Sequence, residues 1–417
     1  MSSGTTHRLA AIVRDIGYVS FGKYGQYVVT AVTLPLLART LGTEGLGLLS
    51  IGMSAFFVGS LLVDLGITQF LAAKMPTADV NQLRGDYLAI RVAVLAALGA
   101  ALAIGLAADV EAHVHMILLG LFTGGFASTS EDWVLIGQGR FGASTAYQAV
   151  GRVAYLVLLL LALRRFPTAS AALLCLLVSS ALPVVLTWRD SLRSFGRPSP
   201  PRHVRATVRL AVPLFTSRLL VMSYGQGSAA IYSSVLNAAT LGVFSAGDRL
   251  VRAVQSLLDP IGFAMLPRMA NGAADERFWR RTTTALLACT GVGVLAAAAL
   301  WVTAPLLVNL VFGSEFTEAI PLLRLEALLL PAAALSSFVT TAVLPVRGDT
   351  AGVLIGSVLG TCVAAATLFL TFHTHSVWTL VGGTVVCEFA VALWFIIRMR
   401  RLAREERAVR LAGVARA

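Results

Sequence analysis

The sequence predicts an all-α membrane protein in which twelve transmembrane helices form two pseudo-symmetric six-helix bundles around a central cleft. Three observations lead there. The chain of 417 residues is 57% hydrophobic and only 13% charged, with a mean hydropathy of +0.80, far from the composition of soluble domains. Apolar runs of about 20 residues, enough to cross roughly 30 Å of hydrocarbon at 1.5 Å per residue, recur from Asp15 almost to Arg400. The basic residues are sorted by side.

The expected spans are 15–38, 46–72, 86–108, 115–137, 143–164, 168–188, 210–236, 240–266, 282–304, 317–344, 350–372 and 376–397. With the N-terminus inside, the cytoplasmic segments hold 23 of the 33 Lys and Arg residues, the outer loops three and the spans seven. This is the positive-inside pattern, which places both termini in the cytoplasm and requires an even number of crossings. The formal charge of +12 therefore reports topology, and no nucleic-acid partner is expected. The first eighteen residues lack a signal-peptide pattern, so span 1 is expected to direct insertion.

The longest polar break, RDSLRSFGRPSPPRHVRATVR, divides the chain. The expected organisation is a bundle over 1–188, a basic cytoplasmic linker over 189–209, a second bundle over 210–399 and a basic cytoplasmic tail over 400–417. The linker's expected role is orientation and contact with anionic headgroups. An ungapped offset of 195 residues aligns Leu41, Leu46, Gly47, Ser50, Gly52, Leu62, Asp64 and Leu71 with Leu236, Leu241, Gly242, Ser245, Gly247, Leu257, Asp259 and Leu266. The halves thus read as a duplication in the same orientation, related by an axis along the membrane normal.

Ionisable groups within the spans carry most of the functional information, because a charge at the bilayer centre costs several kcal/mol and faces a cavity or a partner. Lys23, Arg152 and Arg218 lie eight or nine residues from the cytoplasmic end, and Arg249 and Arg252 reach a similar depth from outside. Arg91 is only about five residues deep by this reckoning and is expected to snorkel. Asp248, Arg252, Gln255 and Asp259 fall at i, i+4, i+7 and i+11, one helical stripe; the alternative for Arg252 is simple neutralisation by Asp248. Lys23, Gln26, Thr30 and Thr33 make a parallel stripe on span 1. Cations outnumber acids at these depths, which suits a cavity that receives an anionic group such as a pyrophosphate. The 195 offset also pairs Lys23 with Arg218, the central candidates for holding phosphates, with Gln226 as further polar lining.

Asp64, Asp259, Asp248 and Glu388 are candidates for a gate or for a coupling H⁺ or Na⁺. Against that stand helix-end capping for Asp64 and Asp259 and a buried hydrogen bond for Glu388. No cofactor, metal or catalytic residue is expected. Cys175, Cys289, Cys362 and Cys387 lack metal-ligand or redox spacing and read as packing residues. Asp109, Glu111, His113 and His115 read as a wet loop. The two lysines stand in GKY and AKM, not in the Gly-Lys-Ser/Thr of a phosphate-binding loop, which excludes an ATP pump within this chain.

LPLLARTLGTEGLGLLSIGMSAFFVGSLLVDLGITQFLAAK, Leu34 to Lys74, resembles the span 1 to span 2 signature of polysaccharide-unit flippases of the multidrug/oligosaccharidyl-lipid/polysaccharide exporter superfamily. VPLFTSRLL, LGVFSAGDRLVRAVQSLLDPIGFAMLPRM and FGSEF (Phe312–Phe316) resemble the same family. The resemblance implies a twelve-helix, two-lobed transporter with helices 1, 2, 7 and 8 lining the cleft. It also implies a substrate, undecaprenyl-pyrophosphate-linked oligosaccharide, moved from the inner to the outer leaflet of the bacterial plasma membrane. The protein is then expected to be a monomer in the bilayer, with polysaccharide polymerase machinery as a further partner. Gln226 departs from the acidic residue that relatives often carry on helix 7. A drug/cation antiporter of the same superfamily and a membrane-embedded polyprenyl-sugar glycosyltransferase or polymerase are the alternatives. The first wants a central acid and the second larger charged outer loops.

Overall fold

The computed structural model describes the backbone of residues 3–75, 78–224, 228–271, 275 and 277–414. Side chains are described from Val32 onward, outside short stretches of which 223–228, 259–264 and 409–414 are the longest. Every element in the described residues is helical. In chain order these are α1 (Ser3–Asp64), α2 (Thr68–Lys74), α3 (Val80–Ala107), α4 (Ala112–Ala127), α5 (Asp132–Gly137), α6 (Phe141–Ala162), α7 (Ala169–Phe195) and α8 (Val204–Tyr224). There follow α9 (Ser228–Tyr232), α10 (Ala238–Asn271), α11 (Phe278–Val311), α12 (Ala319–Ala327), α13 (Leu330–Phe338), α14 (Thr350–Thr374) and α15 (Val377–Val414). Among the described residues, eight helices have the length and apolarity to cross a membrane. The count of twelve and the grouping into two six-helix bundles rest on the sequence alone.

Several spans differ from expectation for identifiable reasons. α1 holds two helices joined at Gly42, whose φ of 66° is open to glycine without a Cβ clash, so spans 1 and 2 follow one another with almost no loop. Span 2 stops at Asp64 because Leu65 and Gly66 take φ of 54° and 68°. α3 begins six residues before the predicted 86, where the Asp79 carboxylate accepts the N–H groups of Asn81 (2.9 Å) and Gln82 (3.2 Å) as an N-cap. Span 4 is divided into α4 and α5, and span 10 into α12, α13 and a π-helical turn over Val339–Val343.

The chain divides into two compact units, Met1–Met222 with Gln226–Gly242 and Val243–Ala417 with Ser223–Gly225. In the first, α1 and α4 meet backbone to backbone: a Cβ on Gly59 would fall on the Leu121 carbonyl, and one on Gly124 on the Phe56 carbonyl. Such close approach through small residues is how membrane helices gain packing energy without a hydrophobic drive. The same unit contains the first turn of α10, and there the repeat meets itself. A Cβ on Gly47 would fall on the Ala238 carbonyl, and a Cβ on Gly242 on the Thr43 carbonyl. Thr43 and Ala238, like Gly47 and Gly242, are separated by the 195-residue offset, so the contact is reciprocal.

The predicted linker is short and built in. α7 runs to Phe195 and α8 starts at Val204, leaving eight residues strapped across the start of α3. The Ser199 N–H donates to the Asn81 carbonyl (3.0 Å), Gln82 Nε2 donates to the Pro200 carbonyl (3.1 Å), and buried Asp86 accepts the N–H groups of Arg202 (2.6 Å) and His203 (2.9 Å). A Cβ on Gly85 would fall on the Ser199 carbonyl.

In the second unit, Asp349 caps α14 through the Gly352 N–H (3.1 Å) and accepts from Arg398 Nε (2.7 Å) and Nη2 (3.0 Å). α15 continues through the predicted tail to Val414. The Arg398 hydrogen bonds, supported by the Gly352 N–H, hold the Asp349 carboxyl below the usual carboxylate range. A depressed pKa contributes stability that is complete above the unfolded value, about 3.9, and is lost as pH falls through the folded one. Asp349→Asn keeps the cap and removes the charge. Its thermal midpoint is expected to lie below wild type at pH 7, with the gap closing below about pH 4; a gap independent of pH would argue against this ion pair. Cys175, Cys289 and Cys387 are buried as packing residues, whereas Cys362 is exposed.

Candidate functional site

The first unit gathers charge at the break between α1 and α2. Tyr87 donates its hydroxyl to Asp64 Oδ1 (2.8 Å), and Thr68 donates to the same oxygen. Arg91 Nη2 stands 3.9 Å from it, and the Arg91 guanidinium lies 3.8 Å above the Tyr87 ring, a cation–π contact. Because α3 starts early, Arg91 is eleven residues into its helix and does not snorkel. It is 2% exposed and donates to the Ser130 carbonyl (3.0 Å). Asp64 is thus the acceptor of a structural knot.

Arg218 of α8 reaches this break. Its side chain crosses Gly66, where a Cβ would come within 2.7 Å of Arg218 Cδ, while the residue as a whole is exposed. Lys23, Gln26, Thr30, Gln226 and Asp259 lie outside the residues whose side chains are described. Arg152 is half-buried on α6. Just below, toward the start of α3, sits an ion pair the sequence did not single out. Arg84 Nε donates to Glu131 Oε2 (2.6 Å), Nη1 donates to Asn81 Oδ1 (3.0 Å) and the Gly196 carbonyl (2.9 Å), and Ser191 donates to the same Glu131 oxygen (2.5 Å). Arg84 is 0% and Glu131 1% exposed.

The second unit holds the α10 stripe. Arg252 Nε contacts both Asp248 oxygens, at 2.8 and 2.7 Å, so the i, i+4 neutralisation weighed from the sequence is formed. Arg249 is held differently: its Nε donates to the Ser245 hydroxyl (3.2 Å), a neutral acceptor. Gln255 is half-buried on the same helix. Two further acids act electrostatically on Arg252, Glu326 from α12 and Glu388 from α15. Glu326 is 1% exposed, lies beside Asp248, and neither of its oxygens receives a hydrogen bond among the described residues. Asp248, Glu326 and Glu388 are thus the acids that act on Arg252, and a carboxylate beside another has its ionised form disfavoured. Glu326 could be found from sequence as an acid inside a span, but only the approach of α12 to α10 at Gly247 reveals its company.

The stretch expected as a wet loop is partly helical: His113, half-buried in the first turn of α4, stands 3.2 Å from the N-cap residue Glu111, and no group of three or more metal-ligating side chains occurs among the described residues.

Residues 12–273 match the family described as polysaccharide biosynthesis protein. No curated protein matches the chain. Solved structures do. The lipid II flippase MurJ in an inward closed conformation aligns with a TM-score of 0.69 at 11% identity, over 91% of this chain and 87% of that one. An inward-facing multidrug resistance MATE family transporter of the MOP superfamily aligns at 0.61 and 16% identity, over 89% and 95%. A MOP superfamily transporter from Pyrococcus furiosus aligns at 0.57 and 15% identity, over 94% and 96%. At these identities the likeness carries the fold.

Proposed function

Because this chain belongs to the polysaccharide biosynthesis protein family and has the MOP-type fold of a multi-pass membrane transporter, we propose that it flips undecaprenyl-pyrophosphate-linked oligosaccharide units. The direction is from the inner to the outer leaflet of the bacterial plasma membrane, by alternating access. The observation that carries this reading is Arg218. Its side chain lies over Gly66 at the α1–α2 break while the residue stays exposed, and the planar fork of a guanidinium suits a pyrophosphate. Arg249, one of whose contacts is the Ser245 hydroxyl, is a further cation, on α10, whereas Arg252 is committed to Asp248 and contributes less. Lys23, paired with Arg218 by the repeat, adds a point charge. The Asp248, Glu326 and Glu388 group around Arg252 is suited to the coupling H⁺ or Na⁺, a proton shared between adjacent carboxyls being the simplest way to relieve their repulsion.

The test is flipping of defined polyprenyl-pyrophosphate oligosaccharides in proteoliposomes, with and without a proton or Na⁺ gradient. Arg218→Ala is expected to insert normally and abolish outward flipping. Lys23→Ala is expected to slow it less, since a point charge offers no bidentate grip. Wild-type rates in correctly inserted Arg218→Ala protein would remove the basis for the assignment. A larger loss from Lys23→Ala would reverse the roles of the two cations.

A further inference from the structure

Where α11 enters and α15 leaves the apolar region, the two helices form a groove of about 500 Å³, with Trp279, Arg280 and Thr283 on one side and Met399, Arg400 and Arg404 on the other. The arginines of this region fall into two kinds. Arg281 pairs with Asp275 (2.9 Å), Arg347 with Glu406 (3.1 Å) and Arg398 with Asp349 (2.7 Å). Arg280, Arg400 and Arg404, which line the groove, have no carboxylate within 4.0 Å among the described residues. All three are exposed.

This selectivity is not explained by a shortage of acid. Glu406 lies close by, but its Oε2 accepts from Trp279 Nε1 (2.9 Å) and faces Arg347. That bond also fixes the indole as a wall of the groove. Arg400 and Arg404 stand at i and i+4, where like charges destabilise a helix; an anion seated between them converts the repulsion into two charge-assisted hydrogen bonds. Buried Met399 gives the groove an apolar floor. Trp279 stands at the end of a membrane-length helix, where an indole sits at headgroup level.

A guanidinium rim over an apolar floor at the end of a span matches a phosphate joined to acyl chains, the chemistry recognised by basic pockets between membrane helices. We propose that this groove binds the phosphate headgroup of an anionic glycerophospholipid, in the leaflet that the distribution of Lys and Arg assigns to the cytoplasm. The site lies wholly within the second unit and does not depend on the transport reading.

The full-length protein in neutral detergent is titrated with phosphatidylglycerol, phosphatidylcholine or inorganic phosphate, with binding read as the rise in Tm. Phosphatidylglycerol alone is expected to raise it. Arg400→Gln combined with Arg404→Gln is expected to weaken the apparent affinity roughly thirtyfold, and Arg280→Gln on the opposite helix about fivefold. The charge-matched pair Arg197→Gln with Arg205→Gln, in the first unit, is expected to leave it unchanged. Wild-type affinity in both groove variants overturns the proposal, as does an equal loss in the charge-matched pair, which would mean diffuse attraction. A full shift from inorganic phosphate overturns the lipid assignment in favour of a free-anion site. Arg280→Gln, a single exposed change, keeps the test decisive if the double variant folds poorly.

Discussion

Glu131→Ala is expected to destabilise the protein by about 3–5 kcal/mol, the cost of removing one partner from a buried ion pair and leaving the other uncompensated. Arg84 is fully buried, and its remaining acceptors, Asn81 Oδ1 and the Gly196 carbonyl, are neutral. A loss of that size is a large fraction of what holds a domain folded. Chemical or thermal unfolding in detergent checks it. Glu131→Gln, which preserves an acceptor for Ser191, is expected to lose less. The double variant Arg84→Met with Glu131→Leu is expected to recover most of the loss, because a packed apolar pair avoids the desolvation of both charges. A loss under about 1 kcal/mol for Glu131→Ala would show that water reaches the pair.

Gly47→Val is expected to be nearly as damaging, through the backbone. Its Cβ has no room because the Ala238 carbonyl occupies the position, and the Gly242 N lies 2.9 Å away. Main chain cannot rotate aside as a side chain can, so the two helix turns must separate. Overpacking of this kind costs typically 1–3 kcal/mol and occasionally more. Gly242→Val meets the Thr43 carbonyl and is expected to act in the same direction. Gly291→Ala on α11, where a Cβ meets nothing within 4 Å, serves as the control and is expected to be neutral or stabilising by up to about 1 kcal/mol. Unfolding midpoints and flipping rates of the three variants, measured side by side, settle it; wild-type behaviour of Gly47→Val would falsify the backbone contact.

The helical class was legible because length and hydropathy act locally, and the i, i+4 pair of Asp248 and Arg252 was legible because one helix contains both. The early start of α3 has a local signal as well, Asp79 directly ahead of Val80 as an N-cap, which a span counted from its first apolar run does not use. The Arg84–Glu131 pair was not legible, since 47 residues separate its members and hydropathy leaves Arg84 outside the apolar span. Hydropathy likewise counts the depth of Arg91 from the first apolar residue, whereas its helix begins at Val80. The breaks at Gly42 and at Leu65–Gly66 interrupt apolar runs that hydropathy treats as continuous. The repeat offset, by contrast, marks a contact as well as a duplication. It matched Gly47 with Gly242 as letters in a register, and the structure puts the two backbones against each other.

The strap across the start of α3 bears on how the chain is made. By the time residue 210 has left the ribosome, the acceptor and donor groups of Asn81, Gln82, Arg84 and Asp86 have long been synthesised, and domains generally form from the N-terminal end first. Residues 196–203 can therefore dock before α8 has finished entering the bilayer. Two features then bear on how α8 is threaded: the six arginines between Arg189 and Arg209, a residue type that resists translocation, and the Asp86 carboxylate, which grips the main chain of Arg202 and His203. A segment that looks like a tether is expected to act during biosynthesis as a stop on the helix that follows it, and the insertion yield of Asp86→Ala, which releases the Arg202 and His203 main chain, is the measurement that checks it.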